Sequence, residues 1–234
     1  MSFTRATMPR VPAKLAICGA SGTGKTYSAL LLARGLVGDS GKIAVIDTEN
    51  GSSCLYSDLT PFDVSVIKAA PMSNGVDIYN VKDIVKAIKD AETANYNALV
   101  IDSASVVWSS LCLFKERLDE DGGSQYCNWS KPKARLAEFK NAVVNSSMHI
   151  ICCFRQKTEY VIETIDGKNK PRRVGTTLEA SKGAEYDYSI VFELDREHNA
   201  RLFKSRLNLG DDNAFCEPLT RATGEKLSTF FNKR

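Results

Sequence analysis

Four short runs along the chain are apolar between their ends: KLAIC (14–18), KIAVID (42–47), ALVID (98–102) and HIICCF (149–154). A strand with no polar face is covered on both sides, as in a parallel sheet flanked by helices. The segments between these runs change period. KTYSALLLARGLVG (25–38) reads as a helix closing at Gly38. VDIYNVKDIVKAIKDAETA (76–94) places Ile78, Val81, Ile84, Val85 and Ile88 at helical spacing. A further helix-like stretch ends near Leu118, the polar break DEDGGSQ follows, and KPKARLAEFKNAVVNSS (131–147) reads as the next helix. FDVSVIKA (62–69) alternates and reads as a short strand.

Beyond residue 155 the pattern changes character. EYVIETIDGKNKPRRVG (159–175) alternates and turns at Asp166-Gly167, as a hairpin does. YSIVFEL (188–194) and ARLFKSR (200–206) read as strands joined by the turn DREHN, and GEKLSTFFNK (224–233) reads as a closing helix. The expected fold is α/β, a doubly wound and mostly parallel sheet with antiparallel strands appended. There is no internal repeat, low-complexity tract or long linker. Residues 1–234 therefore read as one domain, with 1–12 as a flexible N-terminal tail.

Composition narrows the class. With 43% hydrophobic and 25% charged residues, the 234-residue chain has the balance of a soluble globular protein. A net charge of +3 is too small to imply an anionic partner by its field alone, so any nucleic-acid argument rests on where the cations sit. The opening MSFTRATMPRVPAK lacks the apolar core of a secretory signal, and no run approaches the ~18 apolar residues of a membrane span. A soluble, cytoplasmic protein with no membrane partner is expected. Seven cysteines, at 18, 54, 112, 127, 152, 153 and 216, lack CxxC spacing, which argues against a disulfide framework and a zinc site.

GASGTGKT (19–26) matches G-x-x-x-x-G-K-[ST] between a strand and a helix, the setting in which that motif forms a phosphate cradle. Its glycines permit backbone angles that turn successive amides toward one anion, and the helix start adds its own partial positive charge. Lys25 would bridge the β- and γ-phosphates, and the Thr26 hydroxyl would ligate Mg²⁺. ALVIDS supplies an acid at a second strand end. Asp102 would hold the metal through its water shell, the bland alternative being a cap for the next helix. VIDTENGS adds two more carboxylates. Asp47 and Glu49 share a face of extended chain, Glu49 reaching past the strand end into the crevice where open α/β sheets bind ligands. Asp47 is expected as a supporting group or as a partner for Lys25 or Thr26. Taken alone, Glu49 reads equally as a solvated turn acid before Asn50-Gly51.

A P-loop, a strand ending in D-x-E and a strand ending in an apolar residue, Asp and Ser together resemble the RecA-type recombinase ATPase core. GKTYSALLLARGL, KIAVIDTENGS, LYSDLTPFDV, RQKTEY and DREHNARLFKSR are similar to phage or prophage AAA-domain nucleotide-binding proteins. Those are related to minimal single-strand-annealing ATPases that lack the N-terminal arm of bacterial RecA. The similarity spans roughly residues 13–232.

The resemblance implies a P-loop NTPase fold, with ATP and Mg²⁺ as cofactors. ATP would be held by Gly19, Ala20, Ser21, Gly22, Thr23, Gly24, Lys25, Thr26 and Tyr27, and Mg²⁺ by Thr26 and Asp102. Glu49 would polarise the attacking water. Gln156, or alternatively Arg155, would sense the γ-phosphate and open a loop that contacts single-stranded DNA. Lys168, Lys170, Arg172 and Arg173 would neutralise DNA phosphates, with Tyr160 stacking on a base. The region 104–130, with Trp108, Tyr126 and Trp129, corresponds to a second DNA loop, although Trp108 also reads as core. Lys204 and Arg206 share one side of a strand and would reach the γ-phosphate of an adjacent subunit, or else stand as exposed cations.

The partners implied are single-stranded DNA, further copies in a ring or filament, and an annealing or single-strand-binding protein, in the cytoplasm of a bacterial host. Two other functions compete: a P-loop kinase of a small acceptor, and a non-catalytic ATP-gated loader of a partner protein. The basic cluster 168–173 lies in a hairpin rather than between late helices, which counts against the kinase.

Overall fold

Side chains of the first strand, β1 (Lys14–Gly19), alternate between two cores: Leu15 and Ile17 point one way, Ala16 and Cys18 the other, and all are buried. That double burial is what the continuous apolar runs encode. The computed structural model describes Arg5 and residues 11–72, 75–122, 124–165, 168–207 and 216–231, with the backbone alone over 159–171 and 173–174. Most of the expected tail, 1–12, and the hairpin turn Asp166-Gly167 therefore lie outside the described residues.

The P-loop leads into helix α1 (Lys25–Val37), closed by Gly38, whose left-handed φ of 68° lets its N–H reach the Arg34 carbonyl at 2.9 Å. Strands β2 (Ile43–Asp47) and β3 (Asp63–Val66) follow. Two short strands, β4 (Ala70–Pro71) and β5 (Asp77–Ile78), form a separate antiparallel ribbon. Helix α2 (Val81–Thr93) starts five residues later than the spacing predicts, because Asn80 is its cap: the side chain accepts the Lys82 N–H. Ile78, counted into the helical stripe, belongs to β5 instead.

Next come β6 (Ala98–Asp102), α3 (Ser105–Glu120), the short α4 (Gln125–Asn128) and α5 (Ser130–Val144). The chain then runs through β7 (His149–Ile165), β8 (Lys168–Leu178), β9 (Ile190–Leu194), β10 (Asn199–Ser205), β11 (Cys216–Pro218) and α6 (Arg221–Phe231).

The main sheet has the order β11-β10-β9-β1-β7-β6-β2-β3. From β9 to β3 every pairing is parallel, whereas β10 and β11 are added antiparallel at one edge. Helices α2, α3 and α5 cover one face, with Ile84, Ile88, Leu111 and Phe139 in that core. Helices α1 and α6 cover the other with Leu30, Leu32, Leu227 and Phe231. This is the expected architecture, a doubly wound and mostly parallel sheet with antiparallel strands appended.

β7 has two parts. His149 to Phe154 lies inside the parallel sheet, and from Gln156 onward the same strand continues beyond it as a ribbon paired with β8. The expected hairpin is therefore a direct extension of a core strand. Strand β3, at the far edge, is exposed along its whole length. No helix among the described residues is long and apolar enough to cross a membrane.

The helices α1 and α6 touch backbone to backbone at two glycines. A Cβ on Gly35 would come within 2.1 Å of the Arg221 carbonyl, and one on Gly224 within 2.5 Å of the Leu32 carbonyl. Gly35→Ala is expected to force the helices apart and cost roughly 1–3 kcal/mol despite its better helix propensity. In a chain of this size that is a fall in Tm on the order of 5 °C, read by thermal melting.

Candidate active site at the strand tips

Three parallel strands end side by side, and their last residues are Gly19, Asp47 and Asp102, with Arg155 following the parallel part of β7 between them. The loop after β1 needs its glycines for separate reasons. Gly22 and Gly24 have φ of 80° and 83°, the left-handed region that other residues avoid. Gly19 has no room: a Cβ would strike Thr23 Oγ1 at 2.5 Å and the Leu194 carbonyl at 3.0 Å. Among the described residues, nothing accepts a hydrogen bond from the amides of Ser21 to Thr26. Orphaned donors in series, at the start of a 13-residue helix, fit a multiply charged anion. Lys25 folds back over the loop, its Nζ donating to the Ala20 carbonyl at 2.7 Å.

Thr26 Oγ1 donates to Asp102 Oδ2 at 2.5 Å, which brings the two expected metal-binding groups together. Asp102 is buried, and burial pushes its pKa up from 3.8 to about 6; the Thr26 hydrogen bond and Lys25 oppose the shift, while Glu49 and Asp47 add to it. Among the described residues, no cluster of three metal-ligating side chains occurs. A Mg²⁺ ion at Thr26 and Asp102 would complete its shell from phosphate oxygens and water, its usual mode of binding. The peptide Asp102–Ser103 is cis.

The tip of β2 turns on Asp47, which is wholly buried. Oδ1 accepts the N–H groups of Glu49 (2.7 Å) and Gly51 (3.0 Å), and Oδ2 accepts the N–H (2.8 Å) and hydroxyl (2.5 Å) of Ser53. Burial alone would raise its pKa, but these four bonds outweigh it and hold the carboxyl below its ordinary value. Asp47 is thus engaged by its own turn rather than by Lys25 or Thr26, the alternative expected from its place on the strand. The turn delivers Glu49, half-exposed, into the wall of a cavity of about 1120 Å³ shared with the P-loop, Asp102, Arg155 and Gln156. There Glu49 Oε1 pairs with Arg155 Nη2 at 3.4 Å.

Arg155 and Gln156, the two candidate sensors, diverge. Arg155 faces Glu49. The Gln156 amide donates to Glu193, which also accepts from Thr176 and pairs with Arg201. Tyr27, expected to hold ATP, lines the cavity and meets Tyr56 edge to face at 6.1 Å. Sequence reasoning missed further walls: Tyr56 and Leu55 complete this apolar end, and His198 closes the side beside Gly24. A Cβ on Gly24 would lie 3.3 Å from His198 Nδ1. No local signal marks these residues; DREHN reads only as a turn, and its packing on the P-loop is long-range.

Other expected residues lie elsewhere. Lys204 donates to the Glu185 and Tyr188 carbonyls at 2.6 and 2.8 Å, and Arg206 to the Tyr186 carbonyl at 2.5 Å. Lys204 pairs with Val191 and Gly19 with Leu194, so Lys204 stands three residues, ~10 Å, down the sheet from the P-loop end. Arg172 is exposed on β8; the side chains of Tyr160, Lys168, Lys170 and Arg173 lie outside the described residues. Trp108 stacks on Trp129 at 5.8 Å, with Lys115 5.9 Å from the Trp129 ring, and Tyr126 is fully exposed beside them.

Asp102 has a pH dependence of the reverse sign to an ordinary paired carboxylate. The folded chain holds its proton more tightly than the unfolded chain, so its contribution to stability falls from pH 3.8 to about 6 and is level above. Asp102→Asn keeps the shape and the Thr26 contact. It is expected to stabilise the nucleotide-free protein at neutral pH by up to ~3 kcal/mol. The advantage over wild type should grow as urea titrations move from about pH 4 to pH 6; a constant difference would contradict the shift.

A search of curated proteins gives no match. Among solved structures, a KaiC-like protein from the hyperthermophilic archaeon Pyrococcus horikoshii is similar, with 15% identity, 86% of this chain and 89% of that chain covered, and a TM-score of 0.47. A family model described as AAA domain matches residues 11–205, most of the chain and all of the strand tips described above, and the protein belongs to that AAA-domain family.

Proposed function

We propose that the protein hydrolyses ATP and that single-stranded DNA stimulates this turnover, in phage-type recombination or annealing in a bacterial cytoplasm. The observation that carries the reading is the convergence of Glu49, Lys25, Thr26 and Asp102 on one cavity from neighbouring strand tips. The loop amides and Lys25 bind the triphosphate; Tyr27 and Tyr56, set edge to face, offer an aromatic wall to the base. Thr26 and Asp102 would hold Mg²⁺, which would supply charge neutralisation there. Glu49 orients water and takes up its proton, while Arg155, released from Glu49, faces the developing phosphate charge.

Two features favour a DNA partner. The β7–β8 ribbon, with Lys168, Lys170, Arg172 and Arg173 along β8, extends from the very strand whose tip carries Arg155 and Gln156. On the neighbouring helices, Trp108 and Trp129 stack and Tyr126 stands exposed, aromatic groups of the kind that hold unstacked bases. Lys204, ~10 Å from the chain's own P-loop, and Arg206 would serve the site of another copy in a ring or filament, exchanging their bonds to the carbonyls of residues 185–188 for the neighbour's phosphate.

Purified protein is expected to hydrolyse ATP slowly and to speed up about tenfold or more with single-stranded DNA, an effect that weakens with salt. Glu49→Gln should lose ~10²-fold or more in kcat while still binding ATP. Lys25→Ala should lose binding itself. Turnover that needs a small acceptor would instead identify a kinase, and ATP binding without turnover a loader.

A further inference from the structure

The main-chain link that carries Glu49 is held from opposite sides. Its N–H donates to Asp47 Oδ1 at 2.7 Å, and the carbonyl of the same peptide, belonging to Thr48, accepts from the Tyr79 hydroxyl at 2.5 Å. In a trans peptide these two groups point in opposite directions, so the pair fixes both the place of the plane and its rotation. Thr48 is further tied to the neighbouring strand, its N–H donating to the Asp102 carbonyl at 2.7 Å and its Oγ1 accepting from Ser103 N–H at 2.9 Å.

Tyr79 is itself anchored. Its N–H donates to Ser110 Oγ on α3 at 3.0 Å, its ring packs half-buried against the core of that face, and the next residue caps α2. Burial raises its pKa; Arg155 opposes the shift, and the charges of Glu49, Asp47 and Asp77 add to it, so the hydroxyl remains a proton donor. Tyr79 does not line the cavity. Among the described residues, the polar contact of its hydroxyl is with the peptide that leads into Glu49.

We propose that Tyr79 is a positioning residue for Glu49, its hydroxyl locking the Thr48–Glu49 peptide so that the carboxylate enters the cavity toward the P-loop. This rests on the reading of Glu49 as the group that activates water. With the clamp open on one side, the peptide can rotate about Asp47, and the carboxylate samples orientations away from the phosphates. Binding, which depends on the loop amides and Lys25, is untouched.

Tyr79→Phe, which keeps the ring and removes the hydroxyl, is expected to lower kcat about tenfold with KM for ATP unchanged, the cost of a misaimed group rather than a lost one. Added to Glu49→Gln, it should bring no further loss. A wild-type kcat in Tyr79→Phe beside an inactive Glu49→Gln overturns the proposal and leaves the reading of Glu49 standing. Losses that multiply in the double variant overturn it too, since Tyr79 would then act independently of Glu49. A fully active Glu49→Gln sinks the reading beneath it. Should Tyr79→Phe fold poorly, Ser110→Ala, which frees the Tyr79 main chain, provides the same readout: a smaller fall in kcat at constant KM supports the clamp, and an unchanged kcat overturns it.

Discussion

One buried carboxylate organises the end of the second strand. Among the described residues, Asp47 has no cation paired with it; four hydrogen bonds from the following six residues take the place of water. Leaving such a group unsatisfied in a buried site costs on the order of 1–3 kcal/mol per lost partner, so the turn from Glu49 to Ser53 is held to a single shape. Asn50 and Gly51 meet that shape with φ of 59° and 82°, both left-handed. The consequence reaches the cavity, because the direction in which Glu49 leaves the strand follows from the closure of this turn.

Three acids at neighbouring strand tips thus arrive at three electrostatic states. Asp47, bonded to four fixed donors, stays ionised and inert. Asp102, buried with a single hydroxyl for company, is pushed toward the protonated form. A bound cation would reverse that, so the site has a built-in preference for positive charge at this point. Glu49, half-exposed, is balanced by Arg155. The sheet makes this possible: apolar strands buried on both faces fix where each tip lies, and the acids do not need to hold the fold together.

Much of this was legible in the chain. The apolar runs announce a parallel sheet because no antiparallel, one-sided sheet would bury them, and GASGTGKT, ALVIDS and VIDTE fall where those runs end. What could not be read depends on conformation rather than spacing. Asp47 looked like a neighbour for Lys25 because extended chain points it at the crevice, yet its partners lie within the next six residues and exist only once Asn50 and Gly51 turn. Tyr56, His198 and Tyr79 come to the site by long-range packing, and nothing adjacent to them marks it. Lys204 and Arg206 do share a side, but a bulge between Leu202 and Lys204 alters the register there, and both cations meet the carbonyls of residues 185–188.

The tip of β7 joins networks that the other strands keep apart. Strand geometry sends consecutive residues to opposite sides, so Arg155 turns to Glu49 while Gln156 turns to Glu193, and through it to Thr176 on β8 and Arg201 on β10. The Arg155 main chain is pinned as well, its N–H to Ser105 Oγ at 2.9 Å and its carbonyl to Glu179 N–H at 2.8 Å. Arg155 and Gln156 share a peptide plane, so the two networks meet at a single main-chain link. One strand serves as both core element and protruding arm, and the point where it leaves the sheet lies beside the carboxylate in the cavity.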